Sequence, residues 1–126
     1  MQNESSHFAF SRSQRNIWTL EQRYAGTSIN VISATVQVTG HVDFTLLARS
    51  VNLLLEADAS LRLRLLPSDG EPLQTYAPYE ETQFPVLDFT QTDPDGVEHW
   101  MTATAREPMP LYGAPLCRFY LFRLGE

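Results

Sequence analysis

Two arginines, Arg62 and Arg64, are the most informative charged residues of the sequence. They alternate with leucines within residues 60–66, a pattern that predicts a strand with one apolar face. In the first interpretation, both arginines are solvated on the exposed face of an edge strand. In the second, one arginine turns inward and pairs with a carboxylate, because an unpaired buried guanidinium is costly. The alternation alone favours the exposed interpretation.

The other residue types that could do chemistry do not combine into a site. Three histidines, His7, His41 and His99, lie far apart in the sequence without metal-ligand spacing, which predicts surface positions and no metal site. Cys117 has no neighbouring base in the sequence, so we expect an inert core thiol. The sequence contains no Gly-x-Ser-x-Gly nucleophile elbow, and the absence of lysine excludes a phosphate-binding P-loop.

Length and charge exclude several classes of function. The 126 residues carry a net charge of −6, and all nine basic residues are arginines. This length suits one domain, and the acidic balance argues against binding to nucleic acid or to an anionic membrane surface. No apolar run could span a bilayer, no signal peptide is visible, and a single cysteine fits a reducing compartment. We therefore expect a cytoplasmic protein.

The first predicted helix must position the residues near the N-terminus. Ser11 and Gln14 have the spacing of a capping box, which predicts a helix over 12–24. Trp18 is expected to be a core anchor of this helix. Its apolar face is expected to contain three residues at helical spacing, Ile17, Leu20 and Tyr24. Residues 1–9 are expected to be a flexible N-terminus.

The remaining patterns predict alternating helices and strands. Two further helices are expected, over 44–57 after an Asp43 cap and over 94–106 after an Asp93 cap. Strands are expected at five places: 30–39, 60–66, 73–77, 86–89 and 116–124. The last of them is apolar on both faces, which predicts a central, covered strand. The order indicates an α+β fold, a layered α/β sandwich.

One segment, from residue 10 to residue 22, resembles the first core motif of condensation domains of nonribosomal peptide synthetases. That motif reads Ser-x-Ala-Gln-x-Arg-Leu-Trp-x-Leu. Here Ser13 replaces the alanine and Asn16 replaces the arginine. The matching positions are Ser11, Gln14, Trp18 and Leu20.

A second segment, residues 57–65, resembles the second motif of the same family, Arg-His-Glu-x-Leu-Arg-Thr-x-Phe. Leu61 and Arg62 match, whereas the first half of the motif is degenerate here. Four further segments follow in the family's order: 38–43, 69–74, 86–88 and 115–118. The resemblance thus covers about 10–124. The variant at 56–62, together with 88–94, is similar to synthetases that build catecholate siderophores such as enterobactin and bacillibactin.

The resemblance implies amide formation between an acyl or peptidyl thioester and an amine, each carried on the phosphopantetheine arm of a carrier protein. The family has two lobes like chloramphenicol acetyltransferase, with a tunnel between them. Its signature, His-His-x-x-x-Asp-Gly, contains a histidine at the site of amine attack and follows the Pro-Leu-x-Arg strand. The 126 residues contain no such signature. We therefore expect residues 10–126 to be a partial N-terminal lobe that ends before the signature and is inactive alone.

The resemblance also bears on Arg62. In the family, the matching arginine pairs with the aspartate of the signature and supports the catalytic loop, which favours the inward interpretation. Because that aspartate is not among these residues, Arg62 is expected to be solvent-accessible or paired with a substitute carboxylate. The resemblance implies no catalytic residue within this chain, no metal and no directly bound cofactor.

The expected partners are the remainder of the condensation domain and the donor and acceptor carrier proteins, with no nucleic acid or membrane. A dimer through the exposed edge of the last strand is a further expectation. Two alternatives stay open: a non-catalytic module that docks carriers or a complementary fragment, and an unrelated standalone enzyme that uses the three histidines.

Overall fold

A computed structural model describes residues 6–125 of the chain, and their fold mixes helices with short strands. The helices are α1 (Arg12–Arg23), α2 (Phe44–Ala57) and α3 (Pro94–Ala105), and a 3-10 turn covers Ala59–Arg62. The strands are β1 (Leu63–Leu66), β2 (Leu73–Tyr76), β3 (Val86–Asp88) and β4 (Leu121–Arg123). The mixed class predicted from the sequence is confirmed.

Side-chain caps fix the start of each helix, as predicted. At α1, Ser11 Oγ accepts from the Gln14 amide at 3.2 Å, and Gln14 Oε1 accepts from the Ser11 amide at 2.8 Å. Asp43 and Asp93 begin α2 and α3, where their carboxylates accept amides of the first turn. These contacts satisfy donors that have no partner inside a helix. The three predicted helices agree with the structure to within one residue at each end.

Two separate two-stranded sheets contain the strands. β1 and β2 form the predicted antiparallel hairpin, with Leu63 opposite Tyr76, whereas β3 and β4 run parallel. Ahead of α1, Phe8 pairs with Gln74 of β2 through two backbone hydrogen bonds of 3.0 and 2.8 Å. The chain is therefore attached to the hairpin two residues before the boundary predicted at residue 10. Residues 1–5 of the predicted flexible segment lie outside the described residues.

The strand predicted over 30–39 is wrong. Residues 31–39 have no helix, turn or bend, but within residues 6–125 no backbone hydrogen bond joins 32–39 to another segment. The face expected to be buried is open, since Ile32, Val36 and Val38 are 95%, 84% and 62% exposed. The alternation describes a segment suited to a sheet, but no described strand lies beside it.

The covered strand predicted over 116–124 is also wrong in extent and position. Only β4, three residues long, is a strand, and β3 is its one described neighbour. Tyr120 and Leu124 on either side of β4 are 43% and 42% exposed. The apolar character of both faces therefore corresponds to surface that the described residues leave uncovered.

Helix α1 turns a different face inward from the one predicted. Its apolar residues Ile17, Leu20 and Tyr24 are 55%, 39% and 42% exposed. The half-buried positions follow the same helical spacing on another face: Gln14, Trp18 and Glu21. The Trp18 ring packs against two aromatic rings, those of Phe10 and Tyr112. The anchor role predicted for Trp18 is thus confirmed, but the apolar stripe is not the packed face.

The core is small for the length of the chain. Among the described residues, four hydrophobic side chains are buried: Phe10, Leu65, Val97 and Leu121. The accessible surface is 9755 Å², whereas a folded monomer of 14.3 kDa exposes about 6,800 Å². The fold is therefore open, with surface typical of a structure that another segment covers. No helix within residues 6–125 has the length and apolar content needed to cross a membrane.

Candidate functional site around Arg62

The turn after α2 carries Arg62 back beneath the end of that helix. Asp58 ends α2 and caps the 3-10 turn, because its carboxylate accepts from the Ser60 amide at 2.9 Å and the Ser60 hydroxyl at 2.7 Å. These two hydrogen bonds lower the pKa of Asp58, and the positive charge of Arg62 lowers it further. Arg62 therefore lies in a turn before β1, and the prediction that it belongs to the strand is wrong.

Main-chain carbonyls surround the Arg62 guanidinium. Nε donates to the Ala77 carbonyl at 3.0 Å, and Nη1 donates to the carbonyls of Leu55 and Glu56 at the end of α2. The Ala77 amide in turn donates to the Arg62 carbonyl at 2.9 Å. Carbonyls at a helix C-terminus carry partial negative charge and attract a cation. Arg62 thus joins the end of α2 to the chain after β2.

The outcome for Arg62 differs from both predicted outcomes. The residue is half-buried, and among residues 6–125 no carboxylate forms an ion pair with it. Backbone carbonyls replace the expected carboxylate because they neutralise the donors without adding a second charge. Nη2 makes no hydrogen bond within the described part of the chain, so two N–H donors stay available.

A pocket of about 610 Å³ lies beside this guanidinium. Its cationic wall contains three arginines, Arg62, Arg64 and Arg118, and aromatic rings form much of the opposite wall. Two of these rings, Phe84 and Phe119, meet edge to face with centroids 6.3 Å apart. In a chain of net charge −6, the pocket is a local concentration of positive charge that favours a carboxylate over a cation.

Cys117 lines the same pocket as a half-buried thiol. Its Sγ donates to the Leu61 carbonyl at 3.3 Å. Burial raises the pKa of Cys117, and the positive charge of Arg64 opposes that shift only in part. A thiol with a raised pKa is a weak nucleophile, in agreement with the inert role predicted from the sequence.

Asn52 holds the chain after β2 in place and was not predicted. It is a buried polar residue, 7% exposed, on α2. Its amide nitrogen donates to the Thr82 carbonyl at 2.9 Å, and its amide oxygen accepts from the Thr82 amide at 2.8 Å. The only sequence signal is a polar residue among the apolar residues of the helix. Asn52 fixes one rim of the pocket because Tyr79 and Thr82 both lie on that rim.

Gln14 has a second role beyond the capping box. Its side chain exchanges hydrogen bonds with the side chain of Gln74, which is 1% exposed, at 2.6 and 3.2 Å. Gln74 Nε2 also donates to the Ala9 carbonyl at 3.0 Å. The pair joins α1 to the β1–β2 hairpin, and sequence reasoning did not identify Gln74. Of the other motif positions, Leu61 is half-buried, while Ser11 and Leu20 lie at the surface.

The histidines do not approach one another. All three, His7, His41 and His99, are exposed. Within residues 6–125, no group of three or more histidine, cysteine or carboxylate side chains has a geometry that could hold a metal ion. The arrangement around Arg62 positions a charge and a loop and offers no general base at the pocket.

Comparison with known families gives one match over nearly the whole chain. The sequence model of the family described as "Condensation domain" matches residues 4–126. The match includes both motif segments, Arg62 and the pocket walls.

Two curated relatives are much longer synthases of Bacillus subtilis strain 168. Surfactin synthase subunit 1 is 29% identical over 129 residues, which covers 98% of this chain and 4% of that protein. Plipastatin synthase from the same organism is 26% identical over 120 residues, which covers 94% of this chain and 5% of that protein. The chain therefore spans about one-twentieth of the length of these relatives.

A solved structure has the same fold. It is the first condensation domain of the calcium-dependent antibiotic synthetase in complex with a substrate analogue, with a TM-score of 0.84 at 22% sequence identity. The alignment covers 96% of this chain and 30% of that structure.

Proposed function

Since this chain belongs to the condensation-domain family of nonribosomal peptide synthetases, we propose that it is the front part of the N-terminal lobe of such a domain. Condensation domains of these synthetases form amide bonds. The observation that carries the proposal is the family match over residues 4–126, with the second motif's Arg62 anchored beside a cationic pocket. The lobe's likeness to chloramphenicol acetyltransferase and its start at residue 10 belong to this proposal.

The proposed reaction joins two carrier-bound groups. The amine of an aminoacyl group attacks the carbonyl carbon of an acyl or peptidyl thioester. The C–N bond forms as the C–S bond breaks, and the proton lost by the amine balances the thiolate that leaves as the phosphopantetheine thiol. A histidine of a His-His-x-x-x-Asp-Gly loop would act as general base or position the amine. No cofactor binds this chain directly, and the phosphopantetheine belongs to the carriers.

Within this scheme Arg62 is a positioning residue. Carbonyls of Leu55, Glu56 and Ala77 hold its Nε and Nη1, while Nη2 makes no hydrogen bond in the described part of the chain. A carboxylate from the catalytic loop can then accept from Nη2 without any change in the anchor. A charge-assisted hydrogen bond of this kind is stronger than a neutral one, and would fix the loop that carries the histidine.

The 126-residue chain alone is proposed to be inactive. The sequence contains no His-His-x-x-x-Asp-Gly segment, and its own three histidines are exposed and scattered. The test is a condensation assay with one carrier bearing an acyl thioester and another bearing an aminoacyl thioester. Amide product from this chain alone would overturn the proposal.

The partners proposed are the remainder of the condensation domain and the donor and acceptor carriers. A synthetase of the catecholate-siderophore type is the proposed parent, on the strength of the segments 56–62 and 88–94. Product analysis of the parent synthetase tests this assignment, because a catechol-bearing product is expected.

A second candidate function is a non-catalytic docking module derived from a condensation domain. The observation in its favour is the open surface, about 6,800 Å² being expected for this mass against the 9755 Å² exposed. Binding of a carrier to this chain at low concentration, without amide formation after the rest of the domain is added, would favour the module over the enzyme fragment.

A further inference from the structure

Two segments of the chain lie beside one cavity with unused backbone groups. The first is the straight segment 31–39, in which residues 32–39 form no backbone hydrogen bond with other described residues. The second runs from residue 116 through β4, whose described ladder joins it to β3 on one side only. A row of unpaired amides and carbonyls is a template for pairing with another strand.

The cavity between these segments has a volume of about 630 Å³. One wall contains residues 31–36 and the other contains residues 116–120 with Phe122. Helix α3 contributes Trp100, Met101, Thr104 and Ala105 as the floor. Thr35 Oγ1 lies 3.6 Å from Met101 Sδ, which holds the first wall against α3. The space is therefore an open-topped groove with an apolar floor and two backbone walls.

The surplus surface shows how large a contact the chain is suited to make. The chain exposes about 2,900 Å² more than a compact monomer of its mass would. Permanent interfaces bury about 2,000–5,000 Å² in total. Three of the most exposed apolar side chains, Ile32, Val36 and Val38, lie on the first wall segment. The surplus thus has the size of a permanent interface and includes this wall.

We propose that the groove accepts one extended β-strand from another polypeptide, inserted between segment 31–39 and β4. The inserted strand pairs with both walls and joins the β3–β4 sheet to segment 31–39. A helix does not fit this role, because its amides and carbonyls are already paired within the helix. The occupant has apolar or threonine side chains at every second position, which pack on Trp100 and Met101, and few charges.

This inference rests on the proposed function only for the natural source of the strand, which would be the remainder of the condensation domain. The geometry of the groove stands independently of the chemistry. If amide formation is absent but a strand binds, the proposed function fails and the groove remains. If amide forms in the joined protein but no strand enters the groove, the present inference fails alone.

The test uses the full 126-residue chain and a synthetic peptide, Arg-Thr-Val-Thr-Val-Thr-Val-Thr-Arg. Two derivatives carry N-methyl groups, one on the amides of the even residues and one on those of the odd residues. A strand with two neighbours uses both sets of amides, one set on each side. Each derivative is therefore expected to bind about tenfold more weakly or worse, the effect of losing one or more hydrogen bonds. Hydrogen exchange is expected to slow in both 32–38 and 118–123.

Met101→Arg is expected to abolish peptide binding because it places a charge in the floor of the groove, whereas His99→Arg, on the exposed side of α3, is expected to leave it unchanged. Three results would overturn the proposal. They are no binding of the parent peptide, sensitivity to N-methylation of one set only, and slowed exchange that appears without peptide as the chain concentration rises. The second result indicates edge addition, and the third a second copy of the chain as the occupant.

Discussion

The side chains of Gln14 and Gln74 form a reciprocal amide pair across 60 residues of sequence. Gln14 Nε2 donates to Gln74 Oε1 at 2.6 Å, and Gln74 Nε2 donates to Gln14 Oε1 at 3.2 Å. Gln14 Oε1 also accepts from the Ser11 amide. One motif glutamine therefore caps α1 and attaches it to the hairpin that follows Arg62.

Gln74→Ala is expected to destabilise the chain by about 1–3 kcal/mol, because it leaves the Gln14 amide and the Ala9 carbonyl without partners. The measurement is urea unfolding followed by tryptophan fluorescence, which reports on Trp18 beside α1. Gln22→Ala, at an exposed position of the same helix, is the control and is expected to change stability by less than about 0.5 kcal/mol. Equal effects of the two substitutions would contradict the role given to the amide pair.

Asn52→Ala is expected to cost about 1–3 kcal/mol and to loosen the chain around residue 82, because Thr82 loses both of its hydrogen bonds to α2. Hydrogen exchange followed by mass spectrometry should show faster exchange within residues 77–85. Asn16→Ala, exposed on α1, serves as the matched control. Unchanged exchange in 77–85 would show that Asn52 does not hold the rim of the pocket.

Arg62→Lys is expected to destabilise the chain by about 1–2 kcal/mol. A lysine ammonium is a single point donor and cannot reach the Ala77 carbonyl and the two α2 carbonyls with separate nitrogens. Thermal unfolding measures the change, and Arg49→Lys, exposed on α2, is the control. A melting temperature equal to that of the control variant would mean that the carbonyl contacts contribute no stability.

Cys117 should react slowly with iodoacetamide near neutral pH. Burial raises the pKa of this thiol, and the thiolate is the reactive form. The rate is therefore expected to continue rising with pH above about 8.5, the ordinary thiol value, where a small free thiol levels off. Because the unfolded thiol ionises first, the contribution of Cys117 to stability is present below that pH and is lost above it. A rate that levels off at the ordinary pKa would contradict the burial argument.

Features that depend on neighbouring residues were predictable from the sequence. The caps by Ser11, Asp43 and Asp93, the three helices and the β1–β2 hairpin agree with the prediction because their signals lie within a few residues. Pattern alone could not place the strand predicted at 30–39, since a strand exists only with a hydrogen-bonded neighbour. Alternation specifies a suitable segment and leaves the partner undefined.

The site was predictable in part. Arg62 was identified through the second motif, but its carbonyl partners come from α2 and from the chain after β2, which no local pattern brings together. Asn52 and Gln74 were not identified because each is a polar residue made favourable by one distant partner. Helix α1 illustrates the same limit, since hydrogen bonding by Gln14 prevailed over the apolar stripe in choosing the packed face.

The positioning role of Arg62 can be separated from its structural role in the joined condensation domain. Amide formation by Arg62→Ala and by the exposed control Arg49→Ala is compared at a temperature where circular dichroism shows both to be folded. The loss expected for Arg62→Ala is in kcat, with little change in KM for either loaded carrier, because the catalytic loop is misplaced and substrate binding is not.

The most direct test of the central claim is an amide-formation assay on the 126-residue chain with and without the remainder of its condensation domain. Both assays use one carrier loaded with an acyl thioester and one with an aminoacyl thioester, and product is identified by mass spectrometry. The prediction is no product from this chain alone and amide product when the remainder of the domain is present. Amide product from this chain alone would contradict the claim that it is one part of a condensation domain.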